Sequence, residues 1–343
     1  MRKTESRKLD HINIVLEKEV RNKNPSGFGD VELIHDALPE INFDNVDTSA
    51  EFLGKKLSAP IIISAMTGGT KEAEKINKNL AKAAEEFGIG MGVGSQRAMI
   101  ENGKLLSTYY VRDVAPNIFL IGNIGAAQLV KGYGIEECRK AVEMIKADAL
   151  AIHLNAAQEL VQPEGDVDWA GVVDKVRIIS KDLGYPVIAK ETGAGISGDT
   201  AKKLEAAGVK AIDVSGAGGT SWTAVESFRN SRIGDTFNNW GIPTAVSVKW
   251  CKRSVKIPII ASGGVLNGLD AAKAIAIGAD MCAVARPFLK AATISYEKTR
   301  IEVEKVIREL KIAMFLTGSK NLHELRNKKA VITGKTKDYL GQI

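Results

Sequence analysis

The chain has 343 residues, 45% of them apolar, and a formal net charge of +6. This length suits a parallel α/β barrel built as one unit, and the longest apolar runs, 60–65 and 257–261, fall far short of the ~20 residues of a membrane span. Lysines and acids are interspersed without a basic block or an aromatic-basic motif, which argues against nucleic acid and for small anionic ligands, and the cysteines Cys138, Cys251 and Cys282 form neither a disulfide framework nor a metal knuckle.

In chain order, residues 1–57 read as a mixed amino-terminal extension and cap. Its start, Met1-Arg2-Lys3-Thr4-Glu5-Ser6-Arg7-Lys8, is charged with no apolar signal core behind it, so a cytoplasmic protein is expected. From Ala59 a rhythm begins, in which a short apolar run is followed by Gly, Ser, Thr or Asn and then by a segment of helical period. The runs are 60–64, 90–94, 118–122, 149–153, 186–190, 211–215, 257–261 and 280–284. Runs that are apolar on both faces are what parallel strands look like when helices cover one side and a second apolar layer fills the other. Between them, 73–87, 136–145, 200–207 and 269–277 have amphipathic spacing and end near Gly88, Gly208 and Gly278, as a left-handed cap requires. Eight such units predict a TIM barrel over 58–320, with a doubly wound open sheet as the second choice. Two intervals break the rhythm. Residues 216–256 carry an insertion after the sixth strand, ahead of a helix at 245–251; the tail has a long helix at 301–316 and a charged extension over 321–343.

The active site of a barrel lies at the carboxyl ends of its strands. There the sequence places Met66-Thr67-Gly68-Gly69, Ser95-Gln96-Arg97, Asn123, His153 to Glu159, Lys190-Glu191, Ser215 to Thr220, Gly263-Gly264 and Ala285-Arg286. Ala261-Ser262-Gly263-Gly264-Val265 and Val284-Ala285-Arg286 follow strands seven and eight, the usual phosphate site of this fold, where glycines and a helix start can present N–H groups to an anion. Lys190 ends an apolar strand and so needs an anion or polar partner; a Schiff-base lysine is the rival role. A lone His153 would be an ordinary core histidine, but Asn155, Gln158 and Glu159 follow it toward the same mouth. A single carboxylate cannot cage zinc, yet Glu159 can hold Mg²⁺ whose other ligands are water and substrate phosphate. Gln158 is no strong base, and orienting a proton or a reactive carbon is its natural use.

Together, Arg7-Lys8-x-x-His11, Met66-Thr67-Gly68-Gly69, Gly92-Val93-Gly94-Ser95-Gln96-Arg97, His153-Leu154-Asn155 with Gln158-Glu159, Gln162-Pro163-Glu164-Gly165 and Ser215-Gly216-x-Gly218-Gly219-Thr220-Ser221-Trp222 resemble the type 2, FMN-dependent isopentenyl-diphosphate isomerases. The resemblance runs from Arg7 to the region of Ser319. It implies interconversion of isopentenyl and dimethylallyl diphosphate on a TIM barrel, with reduced FMN, Mg²⁺, NADPH or another reductant, and a homo-oligomer of four or eight subunits. Carried over, Ala65, Met66, Thr67, Ser95, Asn123, Lys190, Ser215 and Thr220 would contact the flavin, and Gly264, Val265, Leu266, Ala285 and Arg286 its phosphate. Arg7, Lys8, His11, Ser95, Gln96, Arg97, His153 and Asn155 would serve the substrate, Gln158 the reacting alkene, and Glu159 the metal. Two positions depart from the family. Leu266 stands where Arg is frequent, so that a guanidinium needed there would have to come from Arg286, and Ala156 stands where Pro is frequent.

Two other flavin or nucleotide barrels are disfavoured by what the chain lacks. A 2-hydroxy-acid oxidase needs a histidine base near strand six or seven, and none lies between His153 and His323; a dehydrogenase of inosine monophosphate type needs a cysteine nucleophile after strand six, and none lies between Cys138 and Cys251. A non-catalytic phosphate-binding barrel is the third alternative.

Overall fold

The eight apolar runs form eight parallel strands that close on one another: β1 (Ile61–Ile63), β2 (Gly90–Gly92), β3 (Phe119–Gly125), β4 (Ala149–Leu154), β5 (Val187–Glu191), β6 (Ala211–Asp213), β7 (Ile259–Ala261) and β8 (Met281–Val284). The computed structural model describes residues 3–229 and 232–342, with side chains over 10–229 and 233–342. Because β8 pairs back onto β1, the molecule is a TIM barrel, and an open doubly wound sheet with two edges is excluded. Helices Lys71–Phe87, Ile135–Glu143, Gly198–Ala206 and Gly268–Ala276 stand where amphipathic spacing predicts them. The first begins on the Thr70 side chain, which accepts from Ala73 N, and ends on Gly88 at φ 59°, a left-handed conformation that L side chains resist.

The residues of the eight strands are buried, the partly exposed His153 and Leu154 excepted, but the two faces are buried in different company. Ile62, Phe119, Ile121, Ala149, Ala151, Ile188, Ala211, Ile260, Met281 and Ala283 form one cluster, the filling of the barrel; Ile61, Ile63, Leu120, Leu150, Ile152, Val187, Ile212, Ile259 and Val284 pack in a second with the helices. The alternation is the period of two of a strand. Continued by one more step along the inner face, it reaches Ser64, Asn123, His153, Lys190, Asp213 and Ser262, so the filling turns polar at the carboxyl ends.

The other end is closed by a hairpin, Ala50–Phe52 paired antiparallel with Lys55–Leu57, whose Phe52 and Leu57 belong to the inner cluster. Phe52 stacks edge-on against Phe119 at 5.3 Å between ring centroids. Its turn needs positive φ at both central positions, which Leu53 (47°) and Gly54 (82°) supply. The amino-terminal extension thus serves both ends: its helix Lys3–Glu17 lies over the carboxyl mouth, where His11, Ile12 and Val15 line the cavity, while the hairpin plugs the floor.

Between those two parts, Val31–Leu33 pairs antiparallel with Ala330–Ile332. The tail is therefore more than a charged extension. Its long helix starts at Tyr296, earlier than apolar spacing suggests, because Ser295 caps it by accepting from Lys298 N; helix Leu322–Asn327, the strand and helix Gly334–Gly341 follow. The insertion after β6 holds helices Trp222–Phe228 and Arg232–Phe237 before the barrel helix Thr244–Ser254.

The floor plug gives a direct test of the packing. Phe52, 1% exposed, has no room to be replaced by solvent, so Phe52→Ala is expected to lower unfolding free energy by about 3–5 kcal/mol, read from urea midpoints at unchanged slope. A loss below about 1 kcal/mol would mean that the hairpin is not part of the core.

Candidate active site

A cavity of about 530 Å³ opens at the carboxyl ends of the strands, under the amino-terminal helix. Such a volume is ordinary for a cofactor or substrate site. Two of its walls come from neighbouring strands in register, for His153 of β4 is paired with Lys190 of β5, and Lys190 with Asp213 of β6.

On the β5–β6 wall, Lys190 is 7% exposed; its Nζ donates to Glu191 O at 2.6 Å and lies 3.8 Å from Asp213 Oδ2. Asp213 Oδ1 accepts from Ser262 Oγ. Burial pushes the Asp213 carboxyl up, against the opposing pull of the Lys190 charge and the Ser262 hydroxyl. A lysine held by a buried carboxylate in this way is an ion pair, and the Schiff-base alternative has no support from its surroundings. Glu191 points away into a backbone nest, where its Oε2 accepts from the N–H groups of Thr192, Gly193, Ala194 and Gly195. Full burial nevertheless pushes Glu191 up to about 7 against those donors.

On the β3–β4 wall, His153 Nδ1 meets Asn123 Oδ1 at 2.7 Å, and Asn123 Nδ2 donates to Val93 O at 3.1 Å. Asn123 N in turn donates to Gln96 Oε1 (2.7 Å), while Gln96 Nε2 donates to Ala141 O (2.7 Å). Gln96 is fully buried and absent from the cavity lining, so it is not brought to the candidate site as the motif suggested; its amide ties the ends of β2 and β3 together beneath His153.

Past His153 the chain turns into the short helix Ala156–Val161. Glu159 Oε1 accepts from Asn155 Nδ2 (2.9 Å), and its Oε2 accepts from Gln162 Nε2 (2.6 Å) and Asp166 N (2.9 Å). Of the roughly four lone-pair positions of a carboxylate, one is left. Beside it, Asn155 Oδ1 is buried with no partner. A buried acceptor without a donor costs about 1–3 kcal/mol, and a cation or a protonated ligand would satisfy it. Among the described residues no group of three metal-ligating side chains occurs, so a metal here would take most of its ligands from elsewhere.

Sequence reasoning missed the group that binds these parts together. Glu226, whose side chain is completely buried, lies on helix Trp222–Phe228 in the insertion. Its Oε1 accepts from His11 Nε2 (2.9 Å) and Gln158 Nε2 (3.0 Å), and its Oε2 from Arg229 Nη1 (2.6 Å); Arg229 also reaches Glu164 at 3.0 Å. Burial alone would push Glu226 up, but the bond and charge of His11 and the bonds from Gln158 and Arg229 outweigh it and hold the carboxyl at about 2. His11 also packs edge-on against Trp222 at 5.2 Å. The only signal in the sequence was an acid within the small apolar stretch Thr223-Ala224-Val225. Asp213 was missed too, although an acid in an apolar strand beside the strand of Lys190 is the same signal that singled out Lys190.

The third wall is made by the loops after β6, β7 and β8. A Cβ on Gly219 would stand 2.7 Å from Gly264 N, and one on Gly264, at φ 76°, would stand 2.7 Å from Gly218 C. These glycines are needed because the two loops touch backbone to backbone. Gly264, Val265, Leu266, Ala285 and Arg286 line this end of the cavity, and helix Arg286–Ile294 starts at Ala285 with no side-chain cap on its N–H groups. That combination fits a phosphate group. Ala65, Met66, Thr67, Ser95, Arg97, Ser215 and Thr220 also line the cavity, as do His11, Asn123, His153, Asn155, Gln158, Glu159 and Lys190. The side chains of Arg7 and Lys8, on helix Lys3–Glu17, lie outside the described residues.

Comparison with known proteins fits this geometry. Residues 2–102 and 136–332 match the FMN-dependent dehydrogenase family. Proteins named isopentenyl-diphosphate delta-isomerase are similar over nearly the whole chain: that of Halobacterium salinarum is 50% identical, covering 99% of this chain and 96% of its own, that of Archaeoglobus fulgidus 49%, covering 98% of each, and that of Pyrococcus furiosus 48%, covering 99% and 90%. Among solved structures, the lactate oxidase of Pediococcus acidilactici superimposes with a TM-score of 0.69 at 17% identity, over 97% of this chain and 93% of that one. A mandelate oxidase with an FMN adduct gives 0.65 at 16%, over 90% of each. These two likenesses concern the fold alone. The chain belongs to the FMN-dependent dehydrogenase family and, within it, to the isopentenyl-diphosphate delta-isomerases.

Proposed function

We propose that this protein interconverts isopentenyl and dimethylallyl diphosphate, with reduced FMN and Mg²⁺ bound in the one cavity. The observation that carries the reading is the division of that cavity: His153, Asn155, Gln158 and Glu159 on one side, Lys190 and the loops after β6 to β8 on the other. The first side suits a diphosphate and a metal; the second suits a flavin and its phosphate.

The reaction adds a proton at one carbon of an alkene and removes one from another. Reduced FMN, when bound, supplies the proton-exchanging group beside the alkene. Everything else is positioning by this chain. Lys190, pinned between Glu191 O and Asp213, would present a fixed positive charge to the flavin. Thr67, Ser95, Asn123, Ser215 and Thr220, with the backbone at Ala65 and Met66, would hold the ring, and Gly264 to Leu266 with Ala285 and Arg286 its phosphate. Arg7, Lys8, His11, Arg97, His153 and Asn155 would bind the substrate diphosphate, whose binding energy orients an otherwise featureless hydrocarbon. Glu159 would bind Mg²⁺ through its remaining lone pair, with Asn155 Oδ1 beside it, and the ion would neutralise the diphosphate.

Gln158 is on the first side, in the short helix after β4. Its NH₂ donates to Glu226 and its carbonyl accepts from Asn155 Nδ2 at 3.3 Å, so the remaining lone pair of that carbonyl would face positive charge developing on the substrate's branched carbon. Glu226 remains ionised across the working range, so its part is to hold Gln158 and His11 in place. A reductant such as NADPH would be needed to reach the active flavin state. We further infer a homo-oligomer, which the exposed apolar residues Leu160, Phe228, Phe237 and Trp240 around the insertion support. No helix of the described residues is long and apolar enough to cross a membrane, in keeping with the cytoplasmic location we propose.

Isomerisation followed by proton NMR, with isopentenyl diphosphate, FMN, Mg²⁺ and dithionite, is expected to be absent when the flavin is left oxidised; equal turnover in both states would overturn the reading. Under reducing conditions Gln158→Ala is expected to lower kcat by about 10²-fold or more, and Glu159→Ala to raise the Mg²⁺ requirement, whereas wild-type behaviour in either variant would remove that assignment. Glu226→Gln tests the hub through pH. With the native carboxyl at about 2 against an ordinary 4.5, its stabilising contribution is complete above about 4.5 and is lost as pH falls through 2. Chemical denaturation should therefore show the variant less stable than wild type at pH 7, with the gap closing between pH 5 and 2.

A further inference from the structure

We propose that Arg21, in the segment that links the amino-terminal helix to the rest of the chain, is a ligand of the cofactor's phosphate group; this rests on the reading that a flavin mononucleotide fills the cavity. The segment is sewn onto the loop after β6. Arg21 forms an antiparallel bridge with Thr220, Asn22 N donates to Gly219 O at 2.8 Å, and Ser221 N donates to Val20 O at 2.8 Å. These bonds fix the backbone from which the arginine side chain extends.

The side chain is fixed at its first nitrogen as well. Nε donates to Gly218 O at 3.1 Å, while the two terminal nitrogens make no bond to the described residues. Gly218 is the residue against which Gly264 of the next loop packs, and Ser26, a few residues beyond Arg21, touches both. The guanidinium is thereby anchored at the junction of the loops after β6 and β7, and Arg21 lines the cavity there with Gly219, Gly264 and Leu266. Its field reaches the same corner. Asp270, which accepts from Leu266 N at 3.0 Å, is pushed up by burial and drawn back by Lys273 and Arg21.

The loop after β7 offers backbone and the apolar Leu266 but no cation of its own. Arg286 and Lys290 line the cavity from the helix after β8. Arg21 would close the ring from the opposite loop, with two donors free for the parallel bonding that a guanidinium makes to phosphate.

The test compares ligands that differ only in the phosphate. FMN and riboflavin are titrated into deflavinated protein, with flavin fluorescence as the readout. Arg21→Gln is expected to weaken FMN by about tenfold to a hundredfold, the usual worth of a hydrogen bond to a charged group, while riboflavin changes by less than about twofold. Arg21→Lys should fall in between and also guards against a folding failure of the first variant, which thermal melting would reveal. With FMN saturating, the KM for isopentenyl diphosphate should stay within about twofold of wild type. An unchanged FMN affinity would overturn the proposal, as would an equal loss for both ligands or a shift confined to the KM. Wild-type protein that binds no FMN would instead overturn the underlying reading, and the proposal with it.

Discussion

The inner face of the barrel changes from apolar to polar at a single level, and the placement of the site follows from that change. Below it, the filling is Ile, Met, Phe and small residues such as Ala149, Ala151 and Ala211, closed at the floor by Phe52. Above it, alternate positions on successive strands become Asn123, His153, Lys190 and Asp213. Lys190 and Asp213 meet where little water reaches, so neither could be removed alone without leaving an uncompensated charge, a cost of about 3–5 kcal/mol. Such a pair adds little net stability. What it gives is position, since a cation with one carbonyl and one carboxylate partner has few orientations left.

The upper rim is built differently, by convergence of distant segments on buried polar groups. Glu226 gathers His11 from the amino-terminal helix, Gln158 from the loop after β4 and Arg229 from its own helix. Asn22 and Asn24 reach the end of the same insertion through Trp240 O (3.3 Å) and Asn239 O (2.6 Å). A short helix such as Ala156–Val161 could not orient a side chain by itself, and Gln158 takes its direction from Glu226. The rim and the barrel thus divide the work: strands set the level of the charged groups, and the insertion with the amino-terminal segment sets their direction.

How much of this could be read in the sequence depends on whether a signal was local. The eight strands were legible because their apolar runs are short, doubly buried and regularly spaced, and Thr70 and Gly88 mark their helix in the chain itself. Lys190 and His153 were legible as polar groups at the ends of such runs, and the register of β4 and β5 puts them side by side. Gln96 looked like a site residue because its motif neighbours are, yet its amide is taken up by Ala141 O and Asn123 N, partners that no local pattern announces. Glu226 and Arg21 were invisible for the same reason, since each acquires its surroundings from segments about two hundred residues away. The tail's strand was missed because three alternating residues are too few to stand out until their partner is known.

That partner is at the opposite end of the chain. Val31–Leu33 pairs with Ala330–Ile332, and Asp30 beside it accepts from Thr333 N and Thr336 N, at 2.9 Å each. While the chain is being synthesised, residues 31–33 therefore have no strand to join until residues 330–332 have emerged. The barrel strands and their helices precede that segment in the chain, and all of their pairings but the closing one, β8 on β1, join consecutive strands, contacts of a kind that form early. The segment carrying His11 and Arg21 is held to the insertion by Glu226, Gly218 and Thr220 and does not depend on that pairing, whereas residues 31–33 find their strand partner only in the tail.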